Sequence, residues 1–360
     1  MTQTVERVMA YVGSYADSSG PGVYACEYDA GTGRLRLVQQ ISGLQNPTFL
    51  AVDDEGLKLY AISEGKDAEG RRTGAAAAMN IDAKTGQLSI LNEEKTVDAS
   101  TCHITLDATR QCLIVSSYHG GMIGLSPVLE DGRVGPIADV HRHEGSSVHP
   151  VQTQARAHSV FIDPANRYAV ACDLGLDKLI IYRLDPAGKK LVLHGETSVA
   201  PGSGPRHFAF HPVKPYGYVI NELGSTITAF AYDGEAGTLT EIQTVPTLPD
   251  SYEGENACAD IHISPDGRFL YGSNRGHDSI AVYAIDGENG RLSLIEHVFV
   301  QGRHPRNFAL SPDGRFVLVA NRDTDNIVTF ARDEKTGRLT PTGDELAVSK
   351  PVCIQFLVLD

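Results

Sequence analysis

The chain repeats one short pattern six times along its length. Each copy is an apolar run, a turn rich in Pro, Asp, Asn or Gly, and a second apolar run, as in "FALSPDGRFVLVAN" and "FAFHPVKPYGYVIN". The copies begin near positions 47, 101, 157, 205, 258 and 305, so they lie 47 to 56 residues apart. Alternating apolar residues around such turns predict β-hairpins, and a period of about 40–50 residues is typical of propeller blades.

An acidic turn containing glycine occurs seven times between these hairpins, for example "IDGENGRL" at 285–292 and "RDEKTGRL" at 332–339. Asp can bond to the turn backbone, and Gly accepts a positive φ. Residues 8–41 predict three strands of a first blade that lacks its innermost strand. The C-terminal "PVCIQFLVLD" at 351–360 supplies it, and residues 352–358 are expected to pair with the strand that contains residues 11–14.

These patterns together predict an all-β fold. It is a seven-bladed β-propeller with four antiparallel strands per blade, in which the C-terminal strand closes the N-terminal blade. The repeat covers the whole chain, so we expect residues 1–360 to form a single domain. No long stretch of the sequence shows the periodicity of a helix.

Charged side chains concentrate where the first strand of a blade begins and the second ends, and these positions meet on one face around the central channel. Candidates for catalysis are His158, Arg206, Glu222 and Arg275, and candidates for substrate binding are Arg306, Arg322, His207 and Tyr118. Guanidinium groups bind carboxylate or phosphate bidentately, and a His with a Glu can move protons near neutral pH. The pattern predicts a site for a small anionic substrate.

The same residues also have structural interpretations, which the sequence leaves open. Arg206 and Arg306 follow proline and could brace neighbouring blades through carbonyl groups. His158 could be a hydrogen-bonded core histidine, and Glu222 could simply pair with a nearby arginine. Turns such as "SPDGR" on the opposite face are interpreted as structural.

The longest irregular segment is "VHRHEGSSVHPVQTQARAHS" at 140–159, which is expected to cover the substrate on the same face. Its His141, His143, Glu144 and His149 raise the alternative of a zinc site. However, "HRHE" alternates along an expected strand, and no cysteine or second cluster completes four ligands. We therefore predict no metal and no organic cofactor.

The net charge of −14 at pH 7 argues against binding to nucleic acid or to an anionic membrane surface. No segment approaches the ~20 apolar residues of a membrane span, and "MTQTVERVMAYVG" lacks the features of a signal peptide. The six cysteines are scattered without a Cys-x-x-Cys motif and are interpreted as core residues in a reducing compartment. These features predict a cytoplasmic protein of undetermined oligomeric state.

Several segments together resemble the lactonase-type seven-bladed propellers, a family that includes cycloisomerase-2-like 6-phosphogluconolactonases and fungal carboxy-muconate lactonizing enzymes. The resemblance rests on "AHSVFIDP", "GPRHFAFHP", "NELGSTITAF" and "SNRGHDSI" and covers essentially the whole chain. It implies active-site roles for His158, Arg206, Glu222 and Arg275. Thr153 departs from the arginine that relatives carry near this position, so the contacts to the distal part of the substrate stay open.

The resemblance implies hydrolysis of a sugar lactone, with 6-phosphoglucono-δ-lactone as the favoured substrate. Glu222 or His158 then activates water and the other protonates the ring oxygen, while Arg206 and Arg275 hold the oxyanion or the phosphate. Three alternatives stay open: lactonization of a carboxylated muconate, a non-catalytic scaffold with an apolar binding face, and a metal-dependent lactonase. The last would use the asparagines at the ends of the second strands, which are Asn221, Asn274 and Asn321.

Overall fold

A computed structural model describes residues 7–359, which form seven sheets of four antiparallel strands. The first blade contains β1 (Arg7–Ser14), β2 (Val23–Tyr28) and β3 (Leu35–Ile41). The next three blades contain β4 (Leu50–Asp53), β5 (Lys58–Lys66), β6 (Arg72–Ile81), β7 (Leu88–Lys95), β8 (His103–Leu106), β9 (Cys112–Ser117), β10 (Met122–Pro127), β11 (Asp139–Arg142), β12 (Ala157–Ile162), β13 (Tyr168–Asp173), β14 (Lys178–Asp185) and β15 (Lys190–Ser198).

The last three blades follow the same order, and a 3-10 turn at Arg322–Thr324 separates two of their strands. They contain β16 (Pro205–Phe210), β17 (Tyr216–Asn221), β18 (Thr226–Asp233), β19 (Thr238–Pro246), β20 (Ala257–Ile263), β21 (Phe269–Arg275), β22 (Ser279–Ile285), β23 (Leu292–Phe299), β24 (Pro305–Leu310), β25 (Phe316–Asn321), β26 (Asn326–Arg332) and β27 (Leu339–Ala347). The final strand is β28 (Pro351–Leu359).

The C-terminal strand β28 closes the ring. It pairs antiparallel with β1, with Phe356 opposite Ala10 and Gln355 opposite Tyr11, so the first blade has the order β28-β1-β2-β3. Each inner strand contacts the inner strand of the next blade, and this cycle returns through β28 to β4. The predictions of an all-β fold, of seven four-stranded blades and of C-terminal closure are confirmed.

The core lies between the blades, because both faces of each sheet are covered. The second strands are therefore apolar almost throughout, and every residue of β25 is buried. The outermost strand β27 alternates between partly buried and exposed residues along most of its length because one of its faces meets solvent. Phe208 and Phe230 of blade five pack against Val170 of blade four, and each such ring contributes about 1.5–3 kcal/mol through burial.

The acidic turns tie neighbouring blades together. In four blades a buried tyrosine donates a hydrogen bond to a glycine carbonyl in the turn of the next blade. The pairs are Tyr11 with Gly86 (3.0 Å), Tyr60 with Gly132 (3.0 Å), Tyr218 with Gly290 (3.0 Å) and Tyr271 with Gly337 (2.9 Å). These contacts give the turns a structural role.

A β-bulge interrupts the start of the inner strand in five blades. In blade four the pairing passes from Ala157 directly to Ser159 and leaves His158 without a partner on β13. The residues skipped in this way are His158, Arg206, Ala259 with Asp260, Arg306 and Val352. Because an extra residue in a strand turns its side chain out of the regular alternation, the bulge directs these positions toward the channel.

Two further predictions concern membrane-spanning segments and the state of the cysteines. Within residues 7–359, no helix is long and apolar enough to cross a membrane. All six cysteines are present as free thiols, and five of them are buried. Burial raises the pKa of Cys172 and Cys353 to about 12, so these thiols stay protonated and serve as small core residues.

Candidate active site

A cavity of about 310 Å³ opens at the mouth of the channel on the face where the bulges lie. His158 of blade four, Glu222 of blade five and Arg306 of blade seven line it, together with Tyr118 of blade three. The structure therefore brings four of the sequence-predicted residues to one shared cavity. Its charged lining is unlike the apolar binding face that a scaffold protein would present.

Arg206 and Arg275 lie behind the cavity wall and share Glu222 as their counter-ion. Glu222 Oε2 is 2.9 Å from Arg206 Nε and 2.7 Å from Arg275 Nη2. Both guanidinium groups also donate to backbone carbonyls of blade six, Arg206 to Ala259 and Arg275 to Ala257. The Arg206 Nε–H is poorly aligned with the carboxylate, so this contact is an ion pair rather than a hydrogen bond. An internal carboxylate thus already lies between the two arginines.

The charge of Glu222 is fixed by these neighbours. Burial opposes ionisation of the carboxyl group, but Arg275, Arg206 and Arg306 outweigh it and hold its pKa below the ordinary value. Burial and the nearby arginines lower the pKa of Arg206 to about 9, so it remains charged at neutral pH. Glu222 is therefore an ionised carboxylate whose two main partners, Arg206 and Arg275, are part of the protein itself.

A glycine explains how Glu222 reaches this position. Gly204 has φ +64°, and its carbonyl accepts a hydrogen bond of 2.7 Å from Glu222 N. A Cβ at Gly204 would lie 2.6 Å from Leu223 Cγ, so a side chain has no room there. The Gly of the "GPRH" segment thus sets the backbone next to both Arg206 and Glu222.

His158 is a buried histidine whose side chain forms no hydrogen bond with residues 7–359. It is 4% exposed, and its Nδ1 is buried without a partner in the described chain. Its ring packs edge-on against Tyr118 at 5.8 Å between centroids. Burial, with Arg206 and His207 nearby, holds the pKa of His158 well below its usual range. His158 is therefore neutral at physiological pH and able to accept a proton.

Arg306 differs from the other central arginines. Its guanidinium carbon lies 5.7 Å from the centroid of the Tyr15 ring, and within the described residues it forms neither a hydrogen bond nor an ion pair. Arg206 and Arg275 are satisfied by Glu222 and by carbonyls, whereas Arg306 keeps its full donor capacity toward the cavity. It is the cation best placed to receive an anionic group from outside the protein.

Two predicted substrate-binding residues lie elsewhere. His207 lines a second cavity of about 250 Å³ deeper along the inner strands, where its Nδ1 is 2.8 Å from Asp260 Oδ1. Arg322 lines a neighbouring pocket at the rim and is 2.6 Å from Asp323 Oδ1. The structure thus separates both residues from the cavity that His158 and Glu222 share.

Sequence reasoning did not single out two residues of this region. Arg72 lines the main cavity and forms an ion pair of 3.4 Å with Glu64, but it lies outside the hairpin pattern used to choose candidates. Asp260 is buried in the channel, at the strand position that corresponds to His207 and Asn307 when the inner strands are aligned on the turns that follow them. The sequence signal for Asp260 is the alignment of "CADIHISPDGRF" with "PRNFALSPDGRF", which places it one residue after the position of Arg306.

Two histidines of the 140–159 segment, His141 and His143, are engaged by neighbouring side chains. His143 Nδ1 is 2.6 Å from Asp173 Oδ2, and its Nε2 is 2.8 Å from the Tyr182 hydroxyl. His141 Nε2 is 3.0 Å from Asp139 Oδ2. Across residues 7–359, no group of three or more His, Cys, Asp or Glu side chains is arranged to hold a metal ion.

The same segment supports the cavity wall from behind. Gln154 donates a hydrogen bond of 2.9 Å to the carbonyl of His119, and the Arg156 guanidinium carbon lies 4.8 Å from the Tyr118 ring centroid. Tyr118 and His119 line the cavity, whereas residues 140–157 do not. The segment positions a wall of the site and does not cover it in this conformation.

The three asparagines at the ends of the second strands are buried within the blades. Asn221 donates to the Thr226 hydroxyl (3.0 Å), and Asn274 and Asn321 donate to backbone carbonyls. The lining of the main cavity does not include them. Their amide nitrogens stabilise the blades.

Replacing Glu222 by Gln is expected to destabilise the fold by about 3–5 kcal/mol, because it leaves two buried guanidinium groups without a counter-ion. Urea unfolding measures this loss. The matched control is Glu64→Gln, whose partner Arg72 is exposed and whose loss should cost less than about 1 kcal/mol. Equal stability of Glu222→Gln and the wild type would contradict this assignment.

The same ion pair predicts a pH dependence. The pKa of Glu222 is lower in the folded state than its ordinary value of 4.5. Its contribution to stability is therefore present above that value and is lost as the pH falls through the folded pKa. The difference in unfolding free energy between wild type and Glu222→Gln should shrink in this acid range.

Comparison with known protein families shows to which family the chain belongs. The family described as "Lactonase, 7-bladed beta-propeller" matches residues 9–356. The chain belongs to this family. The sequence-based predictions of this family and of an enzyme of the lactonase class are confirmed.

Individual relatives of the family cover nearly the whole chain. A Bacillus subtilis (strain 168) protein named 6-phosphogluconolactonase is 37% identical over 351 residues, or 98% of this chain and 99% of that protein. The crystal structure of a putative 6-phosphogluconolactonase from Bacteroides fragilis is 34% identical, with a TM-score of 0.90 and 99% coverage of both chains. A periplasmic gluconolactonase from Pseudomonas aeruginosa is 31% identical, with a TM-score of 0.91 and the same coverage.

Proposed function

We propose that this lactonase-family protein hydrolyses 6-phosphoglucono-δ-lactone to 6-phosphogluconate. The observation that carries the proposal is the pairing, in one cavity, of the neutral His158 with an Arg306 that has no internal partner among residues 7–359. The first group suits proton transfer, and the second suits an anionic substrate. The names of the Bacillus subtilis and Bacteroides fragilis relatives support the phosphorylated substrate.

The net charge of the site also favours an anion. Four arginines and two glutamates line or adjoin the cavity, which leaves a net charge of +2. They are Arg72, Arg206, Arg275 and Arg306 with Glu64 and Glu222. A phosphate monoester carries about −1.5 to −2 at pH 7, and a guanidinium group binds it bidentately. We assign the phosphate to Arg306.

His158 acts as the base in this proposal. It removes a proton from a water molecule as the water oxygen attacks the lactone carbonyl carbon. The ring C–O bond then breaks, and the protonated His158 returns that proton to the departing ring oxygen. Because the pKa of His158 is depressed, its protonated form is a strong acid and gives up the proton readily.

Glu222 has a different role from His158. Its Oε2 is held between two arginines, so the lone pairs of that oxygen are already committed. The Glu222 side chain is 18% exposed and borders the cavity, where it can orient the attacking water. Arg206 and Arg275 thus act through Glu222.

A lactonase assay on the purified protein tests the proposal by following acid release from freshly prepared 6-phosphogluconolactone. δ-Gluconolactone is followed in the same way, a carboxylated muconate is followed by loss of its conjugated-diene absorbance, and a chelator is added in one arm. We expect preference for the phosphorylated lactone and no effect of the chelator. Preference for δ-gluconolactone or for the muconate would identify that compound as the substrate instead. Absence of turnover with all three compounds would favour a non-catalytic scaffold.

Arg306→Ala should lower kcat/KM for the phosphorylated lactone by roughly 10–100-fold, because a charged hydrogen bond contributes about 1.5–3 kcal/mol. The loss for δ-gluconolactone should be less than about tenfold, since that substrate lacks the phosphate. The matched control is Arg322→Ala in the neighbouring pocket, which should change neither value more than about threefold. Equal losses for both lactones with Arg306→Ala would overturn the assignment of the phosphate.

We also propose a cytoplasmic location for this reaction. All six cysteines are unpaired, which is typical of proteins in reducing compartments. The Pseudomonas aeruginosa relative is named as periplasmic, so the periplasm is the alternative location. Cell fractionation with an antibody against the native chain decides between them.

A further inference from the structure

Two buried histidine nitrogens in the channel have no hydrogen-bond partner among the described residues. They are Nδ1 of His158 and Nε2 of His207. Both side chains are at least 95% buried, and the two rings pack edge-to-face with centroids 5.4 Å apart. Buried polar atoms without partners are rare in folded proteins, so a pair of them on adjacent rings requires an explanation.

The far side of His207 is held by Asp260. His207 Nδ1 is 2.8 Å from Asp260 Oδ1, which also accepts a hydrogen bond of 3.0 Å from Ile261 N. The second oxygen, Oδ2, is 2.9 Å from His262 Nε2 and accepts a hydrogen bond from the Asn307 side chain. Asp260 thus has both oxygens engaged and is fixed in place.

The charges around Asp260 keep it ionised. Burial opposes its ionisation, but His262 and His207 outweigh this effect and hold its pKa well below the usual range. Burial and Arg206 lower the pKa of His207 to about 4, so this ring is neutral. A neutral imidazole beside a carboxylate must carry its proton on the nitrogen that faces the carboxylate. His207 therefore has Nδ1–H toward Asp260 and a bare lone pair on Nε2.

We propose, on the basis of the function assigned to His158 above, that Asp260 and His207 are positioning residues that set the tautomer of His158. His207 Nε2 accepts the Nδ1 proton of His158, which leaves the lone pair of His158 Nε2 directed at the cavity. His207 is held by Asp260, so a rotation of the His158 ring about its Cβ–Cγ bond, or one bridging water, would connect the two nitrogens across the centroid separation of 5.4 Å.

The proposed chain of hydrogen bonds from Asp260 through His207 to His158 spans three blades. His158 begins β12 of blade four, His207 lies in β16 of blade five, and Asp260 lies in β20 of blade six. In the opposite tautomer, the Nε2–H of His158 would point into the cavity and could not accept a proton from water. The base of the reaction is thus prepared by groups that do not touch the substrate.

Other charged groups act on the two histidines but do not select a tautomer. Those around His158 are Arg206, Arg275, Arg306, Glu222, Tyr118 and Cys102, and those around His207 are Arg206, His262 and His103. Arg206, Arg306 and Arg275 add positive charge near His158, whereas Arg206 is the arginine that acts on His207. Cys102 contacts the backbone carbonyl of His158 at 3.1 Å and not the ring.

The test uses the full chain labelled with 15N-histidine. The resonances of His158 are identified by their loss in His158→Gln, and the tautomer is read from the two ring nitrogen shifts. We expect wild-type His158 to be protonated on Nδ1. In His207→Leu, the proton should move to Nε2, kcat should fall roughly 10–100-fold, and KM should stay within about threefold.

Two further variants separate positioning from general damage to the channel. His207→Gln can donate its amide to Asp260 and offer its oxygen to His158, so it should recover most of the wild-type tautomer and kcat. His103→Leu removes another buried channel histidine, whose ring centroid is 5.6 Å from that of His207, and should leave both unchanged. If His207→Leu does not fold, the wild type and His207→Gln still report the tautomer.

A wild-type His158 protonated on Nε2, or a His207→Leu variant with unchanged tautomer and kcat, would overturn the proposal. Failure of the proposed function has a different signature. If His158→Gln retains wild-type turnover while His207→Leu still shifts the tautomer, the contact stands and His158 is not the base.

Discussion

Replacing His158 by Gln is expected to lower kcat for lactone hydrolysis by roughly 10²-fold or more, the usual contribution of a general base. Glutamine keeps polarity and approximate size but cannot take a proton from water. Stopped assays with fresh lactone, corrected for spontaneous opening, measure the change. The matched control is His119→Gln, an exposed histidine at the edge of the same cavity, which should stay within about threefold of the wild type.

The pH profile provides a second readout for the same residue. The pKa of His158 is depressed by burial and by Arg206, so the acid limb of the wild-type profile should lie below the ordinary histidine value of 6.5. Activity is present above this limb and is lost as His158 becomes protonated. The limb should disappear in His158→Gln. A variant with the wild-type rate and the same acid limb would place the base elsewhere.

Deletion of residues 351–360 is expected to abolish folding. It removes β28, which pairs with β1 along its whole length and buries Val352, Cys353, Ile354, Leu357 and Leu359. Each of these apolar side chains contributes about 1.5–3 kcal/mol, with the smaller cysteine contributing less. Their sum is comparable to the 5–15 kcal/mol that stabilises a typical protein. The deletion also leaves the inner edge of β1 unpaired.

Circular dichroism, thermal unfolding and limited proteolysis measure the effect of this deletion. The control is Val358→Ala in the same strand, where the side chain is 39% exposed and the loss should be less than about 1 kcal/mol. A truncated protein with a wild-type unfolding transition would show that the ring does not depend on its C-terminal strand.

Much of the fold could be predicted because the pattern that determines it is local. Each hairpin has its own turn residues and its own alternation of apolar and polar residues. Because the pattern recurs along the chain, each copy supports the assignment of the others. The closing strand was predicted from the same logic, because the first blade lacked an inner strand and 351–360 resembled one. The observed pairing of Gln355 with Tyr11 agrees with that expectation.

The positions of several candidate residues could also be predicted from the sequence. His158, Glu222 and Arg306 were placed at the ends of strands that face the channel, and all three line one cavity. The bulges that aim His158 and Arg306 were not visible in the sequence, because a bulge depends on the register between two strands. Asp260 was missed for another reason, because most candidates came from one position near the start of each inner strand or from the end of the second strand, and Asp260 lies one residue beyond the former, level with His207.

The sequence by itself determined the seven blades and their closure, and it predicted the face that carries the candidate site, because these follow from periodic patterns within about 50 residues. Only the tertiary structure decided which charges neutralise one another. Arg206 and Arg275 meet Glu222, whereas Arg306 meets no carboxylate in the described chain. His207 turns away from the cavity to Asp260, 53 residues later in the chain. Such pairings depend on how neighbouring blades pack side chain against side chain, and a few ångströms decide whether two charges meet.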